Sequence, residues 1–231
     1  MKALIFAAGI GARMQPLTLT TPKALLHVRG KALIVHHIKA LARAGVRDLV
    51  INVSYLGDLI KAALGDGAQF GVHIAYSEEG AVPLETGGGM RHALPLLGNA
   101  PFIAVNSDIF VDFDFSRLLQ LPERMNAALA HLVLVPNPSH HPGGDFALLA
   151  NKSRDRDTAN KLYTCGPDKL TFSGIGVYSP KLLSGTPSGA FKLAPLLREA
   201  MAFGHVSGER FDGFWTDVGT PERLAQLDFR G

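Results

Sequence analysis

The first hundred residues alternate between short apolar runs and segments whose apolar residues repeat at helical spacing. The apolar runs that predict buried strands are residues 2–8, 49–53, 72–76 and 102–105. Helices are predicted over residues 31–44 and 55–64 and after Thr86. Because parallel strands need a crossover between them, this alternation predicts an α/β fold with a largely parallel sheet.

After residue 127 the pattern changes to short strand-like pieces, which we interpret as further strands that include a small β-hairpin insertion. These pieces are residues 128–135, 145–150, 161–165 and 170–178, with a polar stretch at 151–160 that predicts a solvated loop. A helix at 190–202, a strand at 214–217 and a helix beginning at Thr220-Pro221-Glu222 follow. No composition shift marks a linker, so we expect one domain over residues 1–231.

Composition excludes several classes of protein. The single cysteine, Cys165, cannot form an internal disulfide, and we expect a reducing, cytoplasmic location. No C-x-x-C or H-E-x-x-H spacing suggests a zinc site. No apolar run approaches the roughly 20 residues of a membrane-spanning helix, so we expect no membrane association. Gly9 and Gly11 interrupt the apolar start, which favours a strand over a secretory signal.

Positive charge is concentrated near the N-terminus. Residues 1–47 contain eight Lys and Arg and no acidic residue, so that segment has a charge of +8 while the remainder has −5. This distribution predicts an anionic ligand. Nucleic acid is the weaker candidate, because the basic residues are spaced singly and lack interleaved aromatic residues.

The first strand leads into a glycine-containing loop, Ala7-Ala8-Gly9-Ile10-Gly11-Ala12-Arg13-Met14. Glycines let backbone N–H groups approach a phosphate closely. The loop matches neither the P-loop nor the dinucleotide-binding fingerprint. Arg13 supplies a bidentate fork and Lys23 a compact charge, both suited to phosphates. Taken singly, each could be a solvated surface cation beside an ordinary glycine turn.

Two acidic residues stand at predicted strand ends, where open α/β sheets bind ligands. Asp108 follows the strand at 102–105, and Asp217 precedes the last helix. Together they could hold one Mg²⁺ against phosphates, whereas a turn cap is the alternative for Asp108. The glycine run at 87–89 is suited to close approach by a base or sugar, or it forms a flexible loop. His37, within a predicted helix, is expected to pack.

The pattern Ala7-Ala8-Gly9-x-Gly11-x-Arg13-Met14-x-Pro16-Leu17-Thr18, followed by Pro22-Lys23, resembles the signature of sugar-phosphate nucleotidyltransferases. The resemblance extends over nearly the whole chain, through residues 84–88, Asp108, 172–178 and 215–222. Ser107 and His27 depart from the family pattern, where glycine and proline are common.

Within the family, the short chain and the segments 84–89 and 144–146 are most similar to the uridylyltransferases of peptidoglycan recycling. That similarity implies UTP and N-acetylmuramate α-1-phosphate as substrates. Mannose-1-phosphate guanylyltransferases, or another hexose-1-phosphate nucleotidyltransferase, are the alternative.

The resemblance also implies a Rossmann-like mixed, mostly parallel sheet flanked by helices, and it implies roles for individual residues. The implied nucleotide-binding residues are Ala8, Gly9, Gly11, Ala12, Arg13, Lys23, Glu85 and Thr86, of which Arg13 and Lys23 are also catalytic. The implied sugar-binding residues are Asn106, Gly144 and Asp145, and the implied Mg²⁺ ligands are Asp108 and Asp217. Residues 1–125 would form mainly the nucleotide-binding half and residues 126–231 mainly the sugar-binding half.

The expected reaction is attack by a sugar 1-phosphate on the α-phosphorus of UTP, which releases pyrophosphate and forms a UDP-sugar without a covalent intermediate. A nucleotide-sugar sensor is the non-enzymatic alternative, but it would lack metal ligands. We infer no obligate protein partner.

Overall fold

The structure is a computed structural model, and it describes residues 1–125, 128–149 and 160–228. Its strands are β1 (Ala3–Phe6), β2 (His27–Val28), β3 (Lys31–Ala32), β4 (Asp48–Val53), β5 (His73–Glu78), β6 (Phe102–Asn106), β7 (Ile109–Val111), β8 (Ala130–Val135), β9 (Ala147–Leu149), β10 (Asn160–Tyr163), β11 (Thr171–Tyr178), β12 (Val206–Arg210) and β13 (Trp215–Asp217). Its helices are α1 (Leu33–Arg43), α2 (Gly57–Leu64), α3 (Glu85–Leu97), α4 (Leu121–Arg124), α5 (Leu193–Ala202) and α6 (Pro221–Asp228).

Nine of these strands form one sheet in the order β5-β4-β1-β6-β11-β8-β12-β10-β9. Only β11 and β10 run against the other strands of that sheet within the described residues. The sheet is therefore mostly parallel, as the alternation predicted, and mixed, as the resemblance implied. β9 and β10 form the predicted hairpin, with Lys161 opposite Leu149. Residues 150–159, which hold nearly all of the predicted solvated loop, lie outside the described residues.

The sheet separates two apolar layers, because successive side chains of a strand point to opposite faces. Ile5 of β1 packs in the layer that contains the buried face of α1. Leu4, its neighbour in sequence, packs in the layer that contains α3 and α5. Both layers are continuous and apolar, which explains why the central strands read as unbroken hydrophobic runs.

β13 does not join the large sheet. It pairs with β7 instead, so that Asp217 lies opposite Ile109. Thr220 Oγ1 accepts a hydrogen bond from Arg223 N at 3.4 Å, which confirms the predicted N-cap of α6. Within the described ranges, no helix has the length and apolar character needed to span a bilayer.

Candidate active site

A cleft of about 550 Å³ lies at the carboxyl ends of β1 and β6, which are adjacent parallel strands. Its lining comprises residues 6–14, Lys23, Ala24, Asn52, Glu79, Pro83, Glu85, Thr86, residues 106–108 and Gly219. The cleft therefore brings together ten of the thirteen residues that sequence singled out. Gly144, Asp145 and Asp217 lie outside its lining.

The glycine loop is held in place by local hydrogen bonds. Gly11 has a φ of +69°, in the left-handed region that favours glycine. Its carbonyl accepts hydrogen bonds from Thr18 Oγ1 and Met14 N, each at 2.8 Å. A Cβ at Gly11 would lie 3.0 Å from Thr18 Cγ2. Buried Met14 anchors this turn, which leaves Arg13 exposed at the cleft.

Lys23 and Asp108 form an ion pair in the cleft, with Lys23 Nζ 2.6 Å from Asp108 Oδ2. The lysine side chain is only 11% exposed and the aspartate side chain 37% exposed. The ammonium group is thus held beside the carboxylate, although the two residues are far apart in sequence. The cationic and acidic parts of the predicted site converge.

The main chain brings Asp217 next to Asp108. Val218 N donates a hydrogen bond to Asp108 O at 2.7 Å, beyond the last paired residues of β7 and β13. The Asp217 carboxylate accepts hydrogen bonds from Arg223 Nη1 and lies 2.8 Å from His140 Nε2. The two predicted metal ligands therefore have adjacent backbones, and the Asp217 side chain contacts Arg223.

This donor set fits Mg²⁺, a hard cation that binds through one or two carboxylates together with substrate phosphates and water. Both carboxylates are partly exposed, so phosphate oxygens and water could complete the coordination shell. Among the described residues, no group of three or more His, Cys, Asp or Glu side chains could hold a metal. A site that relied on protein ligands alone is thus absent from the described chain.

A partly buried polar network, which sequence reasoning missed, connects the two sides of the cleft. Asn52 Oδ1 accepts a hydrogen bond from Ala7 N at 2.7 Å, and its Nδ2 donates to Glu79 Oε1 at 2.5 Å. Glu79 Oε2 in turn accepts from Leu84 N at 2.7 Å. The network fixes the end of β1 relative to the start of α3. The sequence signal that could have revealed this network is Asn52, the polar residue within the apolar run at 49–53, because a buried polar side chain needs hydrogen-bond partners.

The glycine run at 87–89 has a different role from the one that sequence suggested. All three glycines lie inside α3, where the close approach is made by the protein itself. A Cβ at Gly88 would lie 2.2 Å from Gly189 O, and one at Gly87 would lie 2.4 Å from Phe191 Cε2. At Gly87 and Gly88, packing of the segment that precedes α5 therefore takes the place of the expected base or sugar. At Gly89, Glu79 and Asn52 take that place.

Glu85 and Thr86 open α3 and line the cleft. Glu85 has a φ of +60°, which is uncommon for a residue other than glycine. Thr86 Oγ1 accepts a hydrogen bond from Leu193 N at 3.2 Å. The first turn of α3 is thus tied to the start of α5, and the exposed Glu85 side chain stays at the cleft.

Of the three predicted sugar-binding residues, one lines the cleft and two lie in a loop outside its lining. Asn106 lines the cleft, whereas Asp145 Oδ2 accepts a hydrogen bond from Phe172 N at 2.8 Å, and Gly144 has a φ of +57°. The same loop carries His140, which contacts Asp217. Gly144 and Asp145 consequently belong to a loop that borders the predicted metal ligand, and their sugar contacts stay a prediction.

His37 is buried and contacts the backbone next to Asp108. Its Nε2 lies 2.9 Å from Ile109 O, one residue after Asp108. Burial is the main cause that lowers its pKa from 6.5 to about 4, and the hydrogen bond to Ile109 partly opposes this effect. His37 therefore packs as a neutral side chain, as its helical position predicted.

The family model described as nucleotidyl transferase matches residues 2–144. The chain belongs to this family and is a nucleotidyltransferase, which confirms the resemblance inferred from the glycine loop.

Two curated relatives match along almost the whole chain. The chain is 50% identical to N-acetylmuramate alpha-1-phosphate uridylyltransferase of Neisseria meningitidis serogroup B, over 98% of this chain and 96% of that protein. It is 31% identical to mannose-1-phosphate guanylyltransferase catalytic subunit beta of Danio rerio, over 96% of this chain but 62% of that protein.

A solved structure supports the fold. It is a putative glucose-1-phosphate thymidylyltransferase from Bacillus anthracis in complex with a sucrose, with a TM-score of 0.80 and 22% identity, over 100% of this chain and 94% of that one.

Proposed function

We propose that this chain transfers the uridylyl group of UTP to N-acetylmuramate α-1-phosphate, forming a UDP-sugar and pyrophosphate. The observation that carries the proposal is that the glycine loop, Lys23 and Asp108 line one cleft, while the β7–β13 pair places the backbone of Asp217 beside Asp108. The 50% identical relative, which carries that activity in its name, supports the choice of base and sugar. We retain a cytoplasmic location as a prediction from the single cysteine.

The chemistry requires positioning and charge stabilisation more than acid–base catalysis. A sugar 1-phosphate is already ionised at neutral pH, so its oxygen can attack the α-phosphorus without a general base. A P–O bond forms to the sugar phosphate while the bond from the α-phosphorus to the bridging oxygen breaks, and pyrophosphate leaves with that electron pair. Each atom of both substrates is accounted for in the two products.

The chain supplies positive charge and backbone donors for this transfer. The N–H groups of the loop at residues 8–12 bind phosphate oxygens, and the exposed Arg13 guanidinium reaches the same anion. Lys23 offsets the charge that develops on the phosphates during displacement. Its contact with Asp108 also orients the carboxylate.

Magnesium is the cation that this donor set would take. Mg²⁺ held by Asp108 and Asp217 would neutralise phosphate charge and favour in-line alignment of the reacting groups. Pairing between β7 and β13 keeps the backbones of the two residues adjacent. In this proposal Glu85 and Thr86 contact the base, and Asn106, with Gly144 and Asp145 from the neighbouring loop, contacts the sugar.

Pyrophosphate release is the assay that tests the proposal. UTP, dTTP, GTP and CTP are each combined with the 1-phosphates of N-acetylmuramate, glucose and mannose, with and without Mg²⁺. We expect the fastest release with UTP and N-acetylmuramate α-1-phosphate, and only when Mg²⁺ is present. Faster release with GTP and mannose 1-phosphate would instead assign the activity of the guanylyltransferase relatives.

Lys23→Ala tests the site. Loss of one preorganised charge costs about a hundredfold in rate, so we expect turnover to fall by about that factor. Lys181→Ala, an exposed lysine outside the cleft, is the matched control and should retain the parent rate. Equal rates for Lys23→Ala and its control would refute the site assignment. If the wild-type chain bound UTP tightly but released no pyrophosphate with any sugar 1-phosphate, the result would favour a nucleotide-sugar sensor.

A further inference from the structure

A second cavity, of about 660 Å³, lies along the exposed side of α1. The described residues of its lining include no Asp or Glu. The lining residues that carry the argument are Lys31, His36, Lys39, Arg43, Arg47 and Phe70. We refer to this cavity as the basic cavity.

Helix geometry explains why the cations share one surface. His36, Lys39 and Arg43 are spaced by three and four residues, so they lie on the same side of α1. Lys31 precedes the helix, and Arg47 follows it. The Arg47 guanidinium donates a hydrogen bond to the carbonyl of Ala42, a favourable position for a cation at a helix C-terminus.

In the described parts of the chain these cations form no ion pair, although the Arg43 charge acts through space on the exposed Asp114 carboxyl. Within residues 1–125, 128–149 and 160–228, Lys31, Lys39, Arg43 and Arg47 form no ion pair. Of the acids nearby in sequence, Asp48 lies 3.6 Å from His73 Nδ1, outside the lining of the cavity. Four positive charges around one concavity repel one another and raise the local potential, which is the electrostatic signature of a site for a polyanion.

The acid-free segment of the sequence thus builds two surfaces and not one. Of its eight basic residues, only Arg13 and Lys23 line the candidate active site. Four others line the basic cavity, on the opposite side of α1 from the helix face that packs in the core. An anionic ligand in the active site therefore accounts for Arg13 and Lys23, but it does not account for the four cations of the basic cavity.

We propose that the basic cavity binds a phosphorylated small molecule that carries at least two phosphate groups. Its volume falls within the range of small-molecule sites. Single-stranded nucleic acid is normally bound along a groove with several stacking rings, whereas Phe70 supplies the one phenyl ring among the described lining residues. The ligand could be a nucleotide that stacks on Phe70 or an inorganic polyphosphate, because both present the same charge.

Calorimetric titration in a background that lacks the active-site cations tests this proposal. The Arg13→Ala/Lys23→Ala variant is titrated with inorganic tripolyphosphate and, separately, with UDP, at about 50 mM NaCl to limit screening. We expect one binding site to remain. Adding Lys39→Glu/Arg43→Glu should weaken it by about tenfold or more, since attraction to two charges becomes repulsion.

The matched control adds Lys181→Glu/Arg198→Glu to the same background. Both residues are exposed and lie outside the cavity, so the net charge changes equally while binding should persist. Melting temperatures verify that each variant folds. Tighter binding of UDP than of tripolyphosphate identifies a nucleotide, and equal or weaker binding of UDP identifies inorganic polyphosphate; both results support the proposal.

Three results would overturn it. These are the absence of binding in the background variant, equal binding by the Lys39→Glu/Arg43→Glu variant and its control, and displacement of tripolyphosphate by a tighter-binding oligonucleotide. The last result would identify nucleic acid as the partner. None of them depends on the proposed uridylyl transfer, which turnover of the wild-type chain tests separately.

Discussion

His131 makes the stability of this protein depend on pH. The residue lies in β8 with 4% exposure, and burial lowers the pKa of its side chain from 6.5 to about 4. Between these values the unfolded chain binds a proton that the folded chain does not. Stability from this group is therefore complete above pH 6.5 and is lost as the pH falls toward 4. From pH 7 to pH 5 we expect a loss of about 2 kcal/mol.

His131→Asn isolates this effect. Asparagine cannot titrate in this range, but its amide can replace Nδ1, which lies 2.9 Å from Ser207 Oγ. Urea unfolding, followed by fluorescence of the single tryptophan, gives the free energy of unfolding at both pH values. Buried His37 adds a similar loss, so we expect about 4 kcal/mol in the wild type and about 2 kcal/mol in the variant.

The control is His73→Asn, because the His73 side chain is 88% exposed and should leave the pH dependence close to that of the wild type. Equal losses of unfolding free energy in the wild type and in His131→Asn would refute the reasoning, since they would show that His131 is protonated equally in the folded and unfolded chains.

Two further predictions concern packing and the polar network. Gly88→Ala places a Cβ 2.2 Å from a backbone oxygen, so we expect more than about 2 kcal/mol of lost stability by urea unfolding, whereas Gly143→Ala, with nothing within 4 Å among the described residues, should change it by less than about 0.5 kcal/mol. Similar values for the two variants would contradict the packing role. Asn52→Leu leaves Ala7 N and Glu79 without their partner, so we expect about 2 kcal/mol of lost stability together with slower pyrophosphate release. Parent-like unfolding and turnover would show that the network does not hold the cleft together.

Local pattern was sufficient for most of the secondary structure. The apolar spacing of α1 and the unbroken runs of β1, β4 and β6 depend on residues close in sequence, and each element was predicted within a few residues. The cationic loop and the acids at strand ends were also recognisable. For the loop and Asp108 the basis is that β1 and β6 are parallel neighbours, whose carboxyl ends share one edge of the sheet.

The remaining features depend on contacts between distant segments, which periodicity does not encode. Asn52 reads as an exception within a strand until the structure places Ala7 and Glu79 beside it. Gly88 reads as part of a turn until Gly189 is found against it. The pairing of β13 with β7 likewise has no local signal, and neither does the division of the N-terminal cations between two surfaces.

In the proposed reaction, the pairing of β13 with β7 also determines when the two acids come together. Asp217 follows Asp108 by more than a hundred positions, which a ribosome needs roughly 5–20 s to translate. During that interval the nascent chain can already contain the glycine loop and Lys23, but its second acid has not yet been synthesised. If Asp217 acts as proposed, we expect turnover only after the segment that contains β13 has been translated.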